Sequence, residues 1–147
     1  MKKKICIIIA SYYPEISKEL LMCALKILKK YNKISYTIIY SPGVLEIPVL
    51  ISKNIAFYHG CIALGCIIKG KTPHFNLISR TTTDAIMYLS IKHKKPIGNG
   101  IITCFNKKQA LERSNPLKKN KGGEAARAVL SVLGILKDER KWSSSKS

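Results

Sequence analysis

Six consecutive residues, Lys69-Gly70-Lys71-Thr72-Pro73-His74, gather an imidazole, two ammonium groups, a hydroxyl and a glycine that lets backbone approach a ligand closely. An apolar run precedes them and an amphipathic one follows, so their amides can cluster near a helix N-terminus and face an anion. The same residues also serve as an ordinary connection, and spacing alone leaves both readings open. They lack the glycine and lysine spacing of a nucleoside-triphosphate loop, and no Gly-x-Gly-x-x-Gly follows the first apolar run, which argues against a dinucleotide or triphosphate enzyme. His74 carries a group whose ordinary pKa, about 6.5, suits proton transfer at neutral pH, although a loop histidine is more often inert. Glu46 stands where a strand hands over to a helix; a carboxylate there is stabilised by the helix macrodipole, and can equally accept hydrogen bonds from a polyol or amine. Arg113 and Lys121 flank a polar connection and read as surface cations, with a phosphate clamp as the alternative.

Other reactive types read as structural. His59 beside Gly60 reads as a capping or exposed residue, and His93, within the basic run 92–95, as solvated surface. Cys6, Cys23, Cys61, Cys66 and Cys104 are odd in number, form no Cys-x-x-Cys pair and lie mostly in apolar runs, so they read as small core hydrophobes in a reducing compartment. The histidines are far apart and flank no acidic cluster, so no metal site is expected.

These residues need a scaffold. Residues 5–10 and 61–68 are continuous apolar runs, the pattern of strands covered on both faces, and 34–40 and 97–104 read as two further strands, the last interrupted by Gly98-Asn99-Gly100. Helical spacing follows Pro14 through Tyr31, runs over 45–58, and carries Ile78, Thr82, Ala85, Ile86 and Leu89 inward over 76–94. A short helix is expected at 107–112, a polar connection at 115–123, and a last helical stripe from Ala125 to Leu136. Strands alternating with crossover helices imply a parallel sheet with helices on both faces, an α/β three-layer αβα sandwich. Ligands then bind beyond the carboxyl ends of the strands, which nominates the segments around 11–14, 41–46 and 69–74 and the one after Ile97. One domain is expected over residues 1–140, followed by a mobile tail at 141–147 that lacks core residues.

The chain has 147 residues and a formal net charge of +18, from 26 basic against 8 acidic residues. Such a balance first suggests nucleic acid. Yet lysine dominates the basic set, arginine being confined to four positions, and tyrosines are not interleaved with the cations as a stacking platform. The charge therefore reads as diffuse and compositional. No apolar stretch approaches the roughly 20 residues of a membrane-spanning helix, and 1–10 lacks a cleavage pattern, so a cytoplasmic protein is expected.

Taken together, 41–48 (Ser-Pro-Gly-Val-Leu-Glu-Ile-Pro), 62–75, Gln109-Ala110-Leu111-Glu112-Arg113 and 120–126 resemble the lumazine synthase family over almost the whole chain. The resemblance implies a flavodoxin-like sandwich with a four-stranded parallel sheet. It also implies a transferase of riboflavin biosynthesis that joins 5-amino-6-(D-ribitylamino)uracil to 3,4-dihydroxy-2-butanone 4-phosphate with release of phosphate and water, without a cofactor. By that resemblance His74 moves protons, while Lys71, Thr72, Arg113 and Lys121 hold the butanone phosphate. Tyr12, Val44, Leu45, Glu46, Cys66, Ile67, Ile68 and Asn99 form the ribitylaminouracil site. Ser11, Leu45 and Asn99 depart from the family pattern, where arginine, phenylalanine and an aromatic residue are common. The resemblance further implies a homo-oligomer, a pentamer or a multiple of it, with active sites at subunit interfaces and Asn99, Arg113 and Lys121 supplied by the neighbour of the chain bearing His74. Neither nucleic acid nor membrane is an expected partner. A basic nucleic-acid-binding module and a lumazine- or flavin-binding protein without catalysis remain the alternatives.

Overall fold

A computed structural model describes residues 2–71 and 73–136. Thr72, the end of the expected domain at 137–140 and the expected tail at 141–147 lie outside the described residues. Four strands, β1 (Lys3–Ala10), β2 (Ile34–Ser41), β3 (Gly60–Ile68) and β4 (Ile97–Cys104), form one parallel sheet in the order β2-β1-β3-β4. Five α-helices cover it: α1 (Pro14–Leu28), α2 (Ile47–Asn54), α3 (His74–His93), α4 (Lys107–Ser114) and α5 (Lys121–Val132).

The continuous apolar run of β1 is explained by its two faces. Ile5, Ile7 and Ile9 point into a core shared with α1, α4 and α5, whereas Cys6, Ile8 and Ala10 point into a second core against α2 and α3. A strand with alternating polar residues would leave one of these cores open. The expected three-layer αβα sandwich with four parallel strands is what the chain forms, and its strand order is that of doubly wound flavodoxin-like sheets.

Several local expectations need correction. Gly98-Asn99-Gly100 does not interrupt β4, which runs unbroken. The glycines are there for packing: a Cβ on Gly98 would sit 2.2 Å from the Ala125 carbonyl oxygen, and one on Gly100 only 2.6 Å from Leu64. Helix α5 lies so close to the sheet that a side chain has no room. The expected helix over 45–58 is a short α2 between two 3-10 turns, Val44–Glu46 and Ile55–Phe57. Helix α5 starts earlier than expected, because Asn120, in the left-handed region at φ 46°, caps it by accepting from the Gly123 amide at 3.1 Å. Leu133 and Leu136 pack on the core from beyond the helix end. His59 is half-buried and caps no helix: its Nδ1 accepts from the Lys4 amide at 2.9 Å while its own amide donates to the Lys4 carbonyl at 2.8 Å, fastening the start of β3 to β1.

Half of the 22 lysines gather at one end of the molecule. Segments 2–4, 26–33, 53–59 and 92–97 all lie where strands begin and helices α1, α2 and α3 end, and they hold eleven lysines and no carboxylate. Cations at helix C-termini oppose the negative end of the macrodipole, a structural reason for that placement.

Gly98→Ala is expected to destabilise the assembled protein by about 1–3 kcal/mol through overpacking, seen as a melting temperature lowered by several degrees. Gly70→Ala, where no atom lies within 4 Å of the added methyl, is the matched control and leaves the melting temperature nearly unchanged.

Candidate functional site

All four strands end at the same edge, so the segments that leave them meet there. Tyr12 follows β1, Val44, Leu45 and Glu46 follow β2, Cys66, Ile67 and Ile68 close β3, and His74 opens α3. These eight residues line one groove of about 400 Å³. Its floor is apolar, and its polar groups are few and at the rim. Tyr12 stands 75% exposed with its ring edge-on to Tyr13 at 5.0 Å, so one aromatic face is free. Glu46 owes its position to Gly43, since a Cβ there would come within 2.9 Å of the Glu46 carboxylate. The turn carrying both is closed by Ser41 Oγ, which donates to the Gly43 carbonyl at 2.6 Å. Among the described residues no side chain caps the start of helix α3, which leaves the amides of its first turn, beside His74, available to an anion.

Cys66 is buried, and burial together with the neighbouring Cys104 thiol pushes it up to about 12. It meets this groove as a neutral, apolar surface rather than as a nucleophile. Burial likewise raises the Tyr13 hydroxyl.

A second groove, of about 640 Å³, lies along the outer edge of β4 and contains Asn99, Arg113 and Lys121. Asn99 Oδ1 accepts from the Ile101 amide at 3.0 Å, which leaves the carboxamide NH2 as its outward group. Arg113, in the last turn of α4, donates through Nη1 to the Thr103 carbonyl and reaches the Cys104 sulfur at 3.8 Å. Lys121 is the first residue of α5 and pairs with Glu124 at 3.2 Å, both half exposed. One wall of this groove is thus cationic, with a single carboxylate beside it.

Within one chain, then, His74 and Arg113 belong to different grooves. Eight expected residues meet in the first, Asn99, Arg113 and Lys121 in the second, and exposed Lys71 lines neither. Thr72 lies outside the described residues. Tyr13, Phe75 and Ile78 also line the first groove and Glu124 the second, without having been assigned roles from sequence. The signal for Ile78 was its spacing four residues after His74, and for Glu124 three residues after Lys121, each on one helix face. Among the described residues no group of three His, Cys, Asp or Glu side chains is placed to hold a metal ion.

The thiol state is testable. An ordinary cysteine ionises near pH 8.5 and Cys66 in the folded chain only near 12, so its contribution to stability is complete below about pH 8.5 and is lost as the pH climbs towards 12. At pH 8 none of the five buried cysteines is expected to react with a disulfide dye at the rate of an unfolded thiol, whereas all five titrate in denaturant. A native thiol that reacts within seconds contradicts this burial.

Residues 2–137 match the family model described as 6,7-dimethyl-8-ribityllumazine synthase. Curated proteins of that name include one from Bartonella bacilliformis, 43% identical over 135 residues, covering 89% of this chain and 88% of the relative. One from Bartonella tribocorum is 42% identical over 142 residues, covering 93% of each. One from Blochmanniella pennsylvanica is 39% identical over 142 residues, covering 92% of this chain and 89% of the relative.

Proposed function

The chain belongs to the 6,7-dimethyl-8-ribityllumazine synthase family and is such a transferase of riboflavin biosynthesis; on that premise we propose that two neighbouring copies complete each active site. The first groove of one copy takes 5-amino-6-(D-ribitylamino)uracil, and the cationic wall of the next copy's second groove closes over 3,4-dihydroxy-2-butanone 4-phosphate. The observation that carries this is the convergence of residues from four distant segments on one groove at the strand ends, while their cationic complement lies on another edge of the same chain.

Such a contact is heterologous, one patch meeting a different one, and heterologous contacts close into rings when the rotation from copy to copy closes and into open filaments when it does not. A ring also gives cover to apolar side chains exposed at both ends of α3, Leu77 at its start and Tyr88 and Ile91 near its end, which stand 65%, 61% and 68% exposed. The resemblance supplies the ring size, a pentamer or a multiple of one, and a cytoplasmic setting agrees with the five unpaired cysteines. Among the described residues no helix is long and apolar enough to cross a membrane.

The chemistry asks little beyond positioning and proton transfer. The aryl amine attacks the ketone and water leaves to give an imine; loss of the C3 proton expels phosphate from C4 and leaves an enol, which tautomerises to a new carbonyl at C3; the second nitrogen attacks that carbonyl and loss of a second water closes the ring. Tyr12 offers its free ring face to the pyrimidine, and Val44, Leu45, Cys66, Ile67 and Ile68 present the apolar and backbone surface around it. Glu46 accepts from the ribityl hydroxyls, and the Asn99 carboxamide donates to the heterocycle edge from the opposite wall. Phosphate sits between the first-turn amides of α3, with Lys71 and Thr72, and the Arg113 and Lys121 side chains of the adjoining copy. His74, at the head of α3, takes and returns the protons of imine formation and phosphate departure. Holding two substrates in a reactive pose supplies much of the rate, since effective molarities reach roughly 10⁵ M or more.

Following lumazine absorbance with both substrates tests this directly. His74→Ala is expected to slow turnover by no more than about 10²–10⁴-fold, leaving measurable activity, because positioning survives. Arg113→Ala is expected to raise the KM of the phosphorylated substrate by roughly 10-fold or more, the loss of one charge-assisted partner in a partly dry site. Parent-like turnover in the first variant, or parent-like KM in the second, removes the assigned role.

A further inference from the structure

The last residue of β4, Cys104, is 1% exposed and touches neither groove, yet its sulfur is one of two acceptors behind the Arg113 guanidinium. The other is the Thr103 carbonyl. An arginine carries its N–H donors in a planar fork. One acceptor fixes a single point, about which the plane can still swing; a second acceptor on the same Nη1 fixes the plane. With that edge held against the strand, the remaining donors are left for the groove that Arg113 lines.

The frame carrying both residues is stiff. Between them, Asn106 Oδ1 accepts from the Gln109 amide at 2.9 Å and Gln109 Oε1 accepts from the Phe105 amide at 2.8 Å, a reciprocal cap that sets the angle at which α4 leaves β4. We infer that Cys104 is a positioning residue for the reaction: its sulfur holds the plane of the Arg113 guanidinium that meets the phosphate group. This rests on the reading that Arg113 binds that phosphate.

Two other uses of the thiol fit less well. Cys66 shares its core, but the strand register pairs Cys66 with Ile102 and Ile68 with Cys104. The two cysteines are diagonal neighbours, whose Cα atoms stand about 7–8 Å apart in a sheet, beyond the roughly 7 Å a disulfide spans without backbone movement. Packing alone would need only volume at this position, and alanine and valine bracket the volume of the thiol from below and above without supplying an acceptor.

The test is steady-state kinetics on the assembled enzyme with Cys104→Val, Cys104→Ala, Cys104→Ser and Arg113→Ala. Cys104→Val and Cys104→Ala are expected to raise the KM of the butanone phosphate about 3- to 10-fold, and to weaken competitive inhibition by inorganic phosphate by a similar factor. The KM of the aminouracil substrate should move less than 2-fold. Cys104→Ser restores an acceptor and is expected to recover most of the loss, and Cys104→Val combined with Arg113→Ala should bind phosphate no worse than Arg113→Ala alone. An impaired Arg113→Ala beside a parent-like Cys104→Val overturns the role of Cys104, and so does a Cys104→Ser as weak as Cys104→Val. A parent-like Arg113→Ala overturns instead the phosphate reading on which the inference stands.

Discussion

Four strands that run the same way must release the chain at the same edge, and every other feature of the molecule follows from that constraint. A parallel sheet cannot be joined by tight hairpins, so each strand needs a returning helix, and the helices bury both sheet faces. The returning helices put their C-termini at the strand starts and their N-termini at the strand ends. One end of the molecule is therefore rich in loop, amide donors and reactive side chains, and the other is rich in lysine. Catalytic machinery collects at the first end because only there do loops of separate strands come within a ligand's length of one another.

The central part of this layout was legible in the chain. Ile5 to Ala10 and Cys61 to Ile68 announce strands buried on both sides because they contain no polar alternation, and the spacing of Thr82, Ile86 and Leu89 marks the inner face of α3. The resemblance carried by 41–48 and 62–75 named the residues of the first groove, and the structure gathers them there. Elsewhere the local signal misled. A Gly-Asn-Gly triplet reads as a turn by itself; here it pairs with β3 as strand, and its glycines leave the room that Ala125 and Val129 of α5 take up. His59 reads as a loose end beside a glycine, and its partner Lys4, beside it at the start of β1, lies 55 residues away in the chain, beyond the reach of any spacing rule. Helix boundaries near 121 depended on a left-handed Asn120, which sequence does not advertise.

The split of the functional residues between two grooves is a matter of handedness and distance rather than of spacing. Arg113 and Lys121 follow β4, the outermost strand on one side, and face outward over its free edge, whereas Tyr12 and Glu46 follow the strands on the other side of β3. A single chain thus carries an apolar-floored groove at one flank and a cationic wall at the other. The departures at Ser11, Leu45 and Asn99 all fall on the pyrimidine side, while the phosphate side keeps its basic groups. In the proposed site, recognition of the heterocycle accordingly leans on hydrogen bonds from a carboxamide where the family resemblance leads one to expect an aromatic face, and the anion is the firmer anchor.

The shared site is tested most directly by building mixed oligomers from two impaired halves, assayed with the butanone phosphate well below its KM, where both defects show. His74→Ala and Arg113→Ala chains, co-expressed in equal amounts and purified through two different tags, should recover activity well above either variant alone. With random placement about one site in four draws its imidazole from one intact copy and its guanidinium from another, so roughly a quarter of parent turnover is expected. Activity no greater than the average of the two single variants would place both groups within one chain's own cavity and contradict the account.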